Sequence, residues 1–137
     1  MFFALLYMKE ILKKIQEIVT EILDNKFKSL ADLEIPKKQG VYIVKDKIKN
    51  KIIYVGKSKN LYNRILIQHN SKKNILGQSN LRKKLKELGI EYDKISNYLE
   101  NSCLFIVQDI ENFDINGLVE ELLIAVFRKQ GEPLLNS

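Results

Sequence analysis

A guanidinium, a carboxylate, two phenols and an amide could do chemistry together if the fold brought them to one place: Arg64, Glu120, Tyr42, Tyr54 and Asn136. Cleaving a phosphodiester needs an activated water, charge relief on the phosphoryl oxygens and help for the leaving oxygen. Arg64 is a permanent cation whose fork fits phosphate. It lies at the edge of a Leu61/Ile65 stripe, where a surface salt bridge is the plainer use. Glu120 has Ile124 and Phe127 one and two turns on, which puts it at an apolar margin, whereas Glu121 has Ala125 and Arg128 there and faces solvent. A carboxylate at a core margin needs a partner, either a lysine or a divalent cation. Tyr42 and Tyr54 are equally at home as strand aromatics, and Asn136 as a C-terminal cap.

Other chemistries drop out early. The chain of 137 residues has one cysteine, Cys103, and one histidine, His69. Internal disulfides, Cys-based metal sites and multi-His sites are therefore excluded within one chain. Cys103 sits in an apolar run and reads as an inert core thiol. Gly56-Lys57-Ser58 ends like a phosphate-binding P-loop, but Lys51 stands where the first glycine belongs. Asn112 to Gly117 starts like an EF-hand, but its twelfth position is Leu123 instead of Glu.

The elements that must position these residues follow from periodicity. Met8, Ile11, Leu12, Ile15, Ile18, Val19, Ile22 and Leu23 form one face of an amphipathic helix over about residues 4–25. That face can pack on the domain or pair with a second copy in a homodimer. Residues 40–46 and 51–56 are β-branched and aromatic runs joined by a polar turn, an antiparallel hairpin. Asn60 can cap a helix to about His69, and Ser79 caps a second helix stopped by Gly89. Residues 70–78 read as polar loop and 90–101 as ambiguous. Residues 103–108 form a short buried strand. Asp114 caps a last helix whose inner face holds Ile115, Leu118, Val119, Leu122, Leu123, Val126 and Phe127. Two hairpin strands, helices, a third strand and a helix do not alternate as a parallel sheet requires. The expected fold is α+β: a small three-stranded antiparallel sheet flanked by helices, with an extra N-terminal amphipathic helix. The expected division is a helix and linker over 1–36 and a domain over 37–137.

The net charge is +6, unevenly spread. Residues 37–94 hold 16 of the 23 Lys and Arg and only 4 of the 17 Asp and Glu, while the last block is acidic. Such a segment attracts polyanions, nucleic acid first among them; a solvated surface biased by an AT-rich genome accounts for the charge equally well. The helix from Ser79 buries Leu81, Leu85 and Leu88 and is expected to expose Arg82, Lys83, Lys84 and Lys86. With Lys57, Lys59, Lys72 and Lys73 they would track phosphates without a sequence code. The longest apolar run, Met1 to Met8, is too short to span a membrane and lacks the flanks of a secretory signal. A cytoplasmic protein with no membrane association is the expectation.

Taken in order, Gly40-Val41-Tyr42, Tyr54-Val55-Gly56, Arg64 ten residues after Tyr54, Glu120-Glu-Leu-Leu-Ile124 and Pro133-Leu-Leu-Asn136 resemble the GIY-YIG nuclease family. The segment from Tyr54 to Arg64 is most similar to the N-terminal nuclease module of the bacterial nucleotide-excision repair incision subunit. The resemblance covers about residues 40–136. It implies a DNA endonuclease with Tyr42 as general base, Tyr54 as a substrate-orienting hydroxyl, Arg64 as phosphate clamp, Glu120 as ligand of Mg²⁺ (or Mn²⁺) and Asn136 as support. It implies DNA repair as the setting, with the target chosen by a DNA-targeting partner protein, a homodimer or a structure-specific substrate. As a base, Tyr42 would need its pKa lowered from about 10 by a neighbouring cation. Many relatives carry His or Tyr four residues after the arginine. Here that position is Gln68, and His69 follows at five. On an α-helical wheel Gln68 falls beside Arg64, and His69 falls in the packed stripe of Leu61, Ile65 and Leu66. Lys57, Lys59, Gln68, His69, Arg82 and Lys83 are the candidate substrate-binding residues. A module of the same fold that binds nucleic acid but cuts poorly is the alternative.

Overall fold

The computed structural model describes residues 1–69 and 79–136. The hairpin forms as its pattern requires: β1 (Gly40–Asp46) pairs antiparallel with β2 (Lys51–Ser58). Asp46 accepts hydrogen bonds from the Ile48 and Lys49 amides, and Asn50 takes the left-handed conformation that closes the turn. The third strand, β3 (Cys103–Asp109), pairs with the other edge of β1, so the sheet order is β2-β1-β3, antiparallel throughout. The α+β fold is the expected one.

Period-two alternation sends β1 side chains to two opposite layers. Val41 and Ile43 join Val55 and Ile106 in one core, covered by α1 (Phe2–Asp24) and α4 (Phe113–Lys129). Tyr42 and Val44 join Tyr54, Leu61, Ile65 and Phe105 in the other, closed by α2 (Asn80–Glu87) and α3 (Tyr92–Asn101). The segment read as ambiguous is thus α3, with Ile95 and Leu99 buried.

Ile15, Val19 and Ile22 bring the C-terminal half of α1 into the α4 core. Its first half continues the same stripe with Leu5, Met8, Ile11 and Leu12 exposed. No described helix is long and apolar enough to cross a membrane.

Three expectations are corrected. On α4, Leu118 and Leu122 are exposed, and the core face is Ile115, Val119, Leu123 and Phe127. Its cap is Asn112, whose side chain accepts from the Asp114 amide; Asp114 lies inside the helix. The segment after Asn60 is not a regular α-helix. Asn63–His69 is wound as a π-helix, whose wider turn links residues five apart and brings them toward the same side.

Candidate active site

Two glycines explain the strand triplets. A β-carbon on Gly56 would lie 2.2 Å from Tyr42 Cζ and 2.3 Å from its Oη, because the Tyr42 ring lies across β2 at its register partner Gly56. A β-carbon on Gly40 would lie 2.1 Å from the Gln108 carbonyl oxygen. Each triplet therefore has its glycine where a side chain would overlap backbone or the site's own phenol.

Tyr42 is 1% exposed and meets His69: the phenol oxygen lies 2.5 Å from His69 Nε2. The other ring nitrogen, Nδ1, is hydrogen-bonded to Ser79 Oγ. Ser79 Oγ also accepts from the Arg82 amide at 3.2 Å and so caps α2. Arg82 Nη1 donates to the His69 carbonyl at 3.0 Å. Tyr54 completes an aromatic cluster, its ring centroid 6.2 Å from Tyr42 and 6.0 Å from His69.

His69 is therefore not packed among the aliphatics of its own helix, as an α-helical wheel implies. The π-winding turns it onto the Arg64 side and into contact with Tyr42. Arg82 is not an exposed phosphate contact either. It is 2% exposed, and its guanidinium is directed at backbone carbonyls of His69 and Tyr92. The expected Lys84 and Lys86 contacts are paired with Glu87 and Glu91. Lys57, Lys59 and Lys83 are exposed. The Gln68 side chain and Lys72 and Lys73 lie outside the described residues.

Charge in the site follows from burial. Burial lifts the Tyr42 pKa well above the usual phenol value; Tyr54 and Glu120 add to this, and Arg64 opposes it without reversing it. The expected lowering does not occur. Tyr54 is raised for the same reason. His69 is pushed down to about 3 by burial and by the cations Arg64 and Arg82, so its imidazole is neutral at pH 7. Glu120 is half-buried and raised, chiefly by desolvation, while Lys57 and Arg64 hold it partly down. Lys57 Nζ lies over Gly117, one turn before Glu120.

Glu120 and Asn136 line an open groove with Glu121, Ile124, Ala125 and Arg128. Both ends of the Asn136 amide are engaged by β2: Oδ1 accepts from the Val55 amide at 3.0 Å, and Nδ2 donates to the Val55 carbonyl at 2.7 Å. With Leu135 bonded to the Ile53 carbonyl and Glu132 to the Ile52 amide, the tail covers the outer edge of β2 and fixes the strand that carries Tyr54 and Gly56. Arg64 shares an electrostatic field with Tyr42, Tyr54, His69 and Glu120. Its buried Nε has no hydrogen-bond partner among the described residues.

Sequence reasoning read Ser79 only as a helix cap and missed its bond to His69. The signal was the five-residue step from Arg64 to the chain's single histidine, which is one π-turn.

Fold and site define a small α+β domain organised around paired Gly-x-Tyr and Tyr-x-Gly strands with an arginine, a histidine and a distant glutamate. Residues 38–102 match the family model described as the GIY-YIG catalytic domain, and this part of the chain is a GIY-YIG domain. Glu120 and Asn136 lie beyond the matched residues. The chain is 47% identical over 55 residues to the UvrABC system protein C of Lactobacillus acidophilus, a match covering 40% of this chain and 8% of that protein. It is 46% identical over 55 residues to the Lactobacillus helveticus protein of the same name, again 40% and 8%. A 48-residue match to that of Lactobacillus delbrueckii subsp. bulgaricus is 46% identical, covering 35% and 7%. The chain thus matches less than a tenth of the length of these relatives. Family and relatives support a nuclease of the GIY-YIG type.

Proposed function

We propose that the chain is a metal-dependent endonuclease that hydrolyses DNA phosphodiester bonds in the cytoplasm, in the setting of DNA repair. The observation that carries this reading is Arg64. A buried N–H without a partner is costly, about 1–3 kcal/mol, and a phosphoryl oxygen is the acceptor a guanidinium fits best. The Arg64 Nε is such a group, and its guanidinium is within electrostatic reach of Tyr42, Tyr54 and Glu120.

Glu120 suits a divalent cation. Among the described residues no group of three or more His, Cys, Asp or Glu comes together, and the carboxylate at the groove's apolar margin is the half-buried Glu120. Mg²⁺ binds in this manner, through one or two carboxylates with waters and substrate phosphate, and Mn²⁺ accepts the same oxygen donors. When bound, the ion would supply charge relief to the phosphoryl and leaving oxygens.

The proton follows the chain's own groups. With its pKa raised, Tyr42 does not serve as a standing phenolate. It acts as a relay: its Oη takes a proton from the attacking water as its own proton passes to His69 Nε2, 2.5 Å away. His69 is a weak base in the free protein because Arg64 and Arg82 oppose a third cation. A bound phosphodiester offsets Arg64 and raises that basicity when it is needed. Tyr54 orients the substrate, and Asn136 acts indirectly by holding β2. Lys57, Lys59 and Lys83 provide backbone contacts without sequence choice. Target selection falls to a DNA-targeting partner protein or to a second copy through α1.

One observation favours a second reading, a module that binds nucleic acid but cuts poorly: the Tyr42 hydroxyl is buried. Supercoiled plasmid separates the two. The nuclease reading expects nicking with Mg²⁺, lost on chelation and in Glu120→Ala. Steeply salt-dependent binding without nicking establishes the second reading instead.

A further inference from the structure

We infer that Ser79 is a positioning residue for the cleavage reaction: its Oγ accepts the Nδ1–H of His69 and thereby leaves Nε2 bare to receive the Tyr42 proton. This rests on the nuclease reading above. The geometry fixes the argument. His69 is fully buried, and among the described residues its ring nitrogens meet Ser79 Oγ at Nδ1 and Tyr42 Oη at Nε2. A neutral imidazole carries one N–H, and the partner of one nitrogen decides the state of the other. Ser79 Oγ already accepts the Arg82 amide hydrogen as the cap of α2. Its two lone pairs can take both N–H groups, which lets the hydroxyl serve as a double acceptor between the helix start and the ring. The Arg82 guanidinium grips the His69 carbonyl from the same turn, and the 4% exposed serine cannot drift into solvent. The order is Tyr42 O–H to His69 Nε2, then His69 Nδ1–H to Ser79 Oγ. Serine here takes the orienting role that a carboxylate takes in a hydrolase triad, without adding a negative charge to a buried site.

The chain has a single histidine, so its imidazole nitrogens give one assignable pair of ¹⁵N signals. The test is ¹⁵N imidazole NMR on the full chain, with single-turnover nicking of supercoiled plasmid alongside. The wild type is expected to show Nδ1 protonated and Nε2 bare. Ser79→Gly is the informative variant, because glycine caps a helix almost as well as serine yet has no oxygen to offer. It should move the proton to Nε2 in part or fully and slow nicking about 10- to 100-fold at saturating DNA, with KM unchanged. Ser79→Thr, which keeps both oxygen and cap, should restore the tautomer and the rate. A wild-type Nε2–H tautomer, or Ser79→Gly with the wild-type tautomer and rate, overturns the proposal. A protein with the Nδ1–H tautomer that never nicks DNA upholds the tether and overturns the nuclease reading. One that nicks with the Nε2–H tautomer does the reverse.

Discussion

The two layers against the sheet are built from similar aliphatic residues but treat polar groups differently. The α1/α4 layer is closed by Ile15, Val19, Ile22, Val41, Ile43, Val55, Val119 and Leu123. The opposite layer has a comparable aliphatic core, with Leu61, Ile65, Leu81, Leu85 and Leu99, yet it also buries His69, Ser79, Arg82 and the Tyr42 hydroxyl. Burying polar groups is costly unless they are paired, and here they are paired into one chain from Tyr42 through His69 to Ser79. The α1/α4 layer packs chiefly hydrocarbon; the buried polar side chain on α4 is Asn116, whose amide has no hydrogen-bond partner among the described residues. The polar layer is also the one that holds the strand tyrosines and faces Arg64. On the proposed nuclease reading, the difference teaches that one side of the sheet chiefly supplies stability and the other positions protons.

That contrast can be broken from either side. The largest effect expected is on rate: His69→Phe removes the proton acceptor while keeping an aromatic of similar bulk. Nicking should fall by about 10²- to 10⁴-fold, the range of general-base removal, as read by single-turnover cleavage, with the fold retained by circular dichroism. Next, Leu123→Ala in the hydrocarbon layer should cost about 2–5 kcal/mol in urea unfolding and leave the nicking rate per folded molecule unchanged. Asn136→Ala removes two bonds to Val55. It should cost about 1–3 kcal/mol and slow nicking only as far as β2 loosens. The smallest effect is a pH slope. Because burial and the two arginines hold the His69 pKa near 3, against about 6.5 when unfolded, the unfolded chain binds the extra proton between those values. The contribution is complete above about pH 6.5 and is lost as pH falls toward 3, by up to roughly 1.4 kcal/mol per unit. Urea midpoints of wild type and His69→Phe measured from pH 7 to pH 5 should converge by that slope.

Much of this arrangement was legible in the residues themselves. The β-branched and aromatic runs at 40–46 and 51–56 pointed to the hairpin, which pairs Tyr42 with Gly56. The choice of Glu120 over Glu121 came from helical spacing and agrees with their burial. Most of what escaped has a common cause, the assumption of a regular α-helix or a regular amphipathic face. A 3.6-residue wheel puts His69 in the aliphatic stripe, whereas the π-wound segment carries it to Tyr42. Counting cations on the α2 face put Arg82 in solvent, but backbone carbonyls at His69 and Tyr92 draw it inward. Leu118 and Leu122 fit the apolar period of α4, yet the narrow three-stranded sheet covers only part of that face. The Tyr42 pKa was expected to fall because cations were counted before burial, and burial is the larger influence.

The central claim is that the buried Tyr42 hydroxyl passes a proton during strand cleavage. Tyr42→Phe removes that one oxygen and keeps the ring against Gly56. Single-turnover nicking of supercoiled plasmid with Mg²⁺ should drop by at least about 100-fold while DNA affinity stays within about twofold of wild type. Nicking at the wild-type rate would contradict the account.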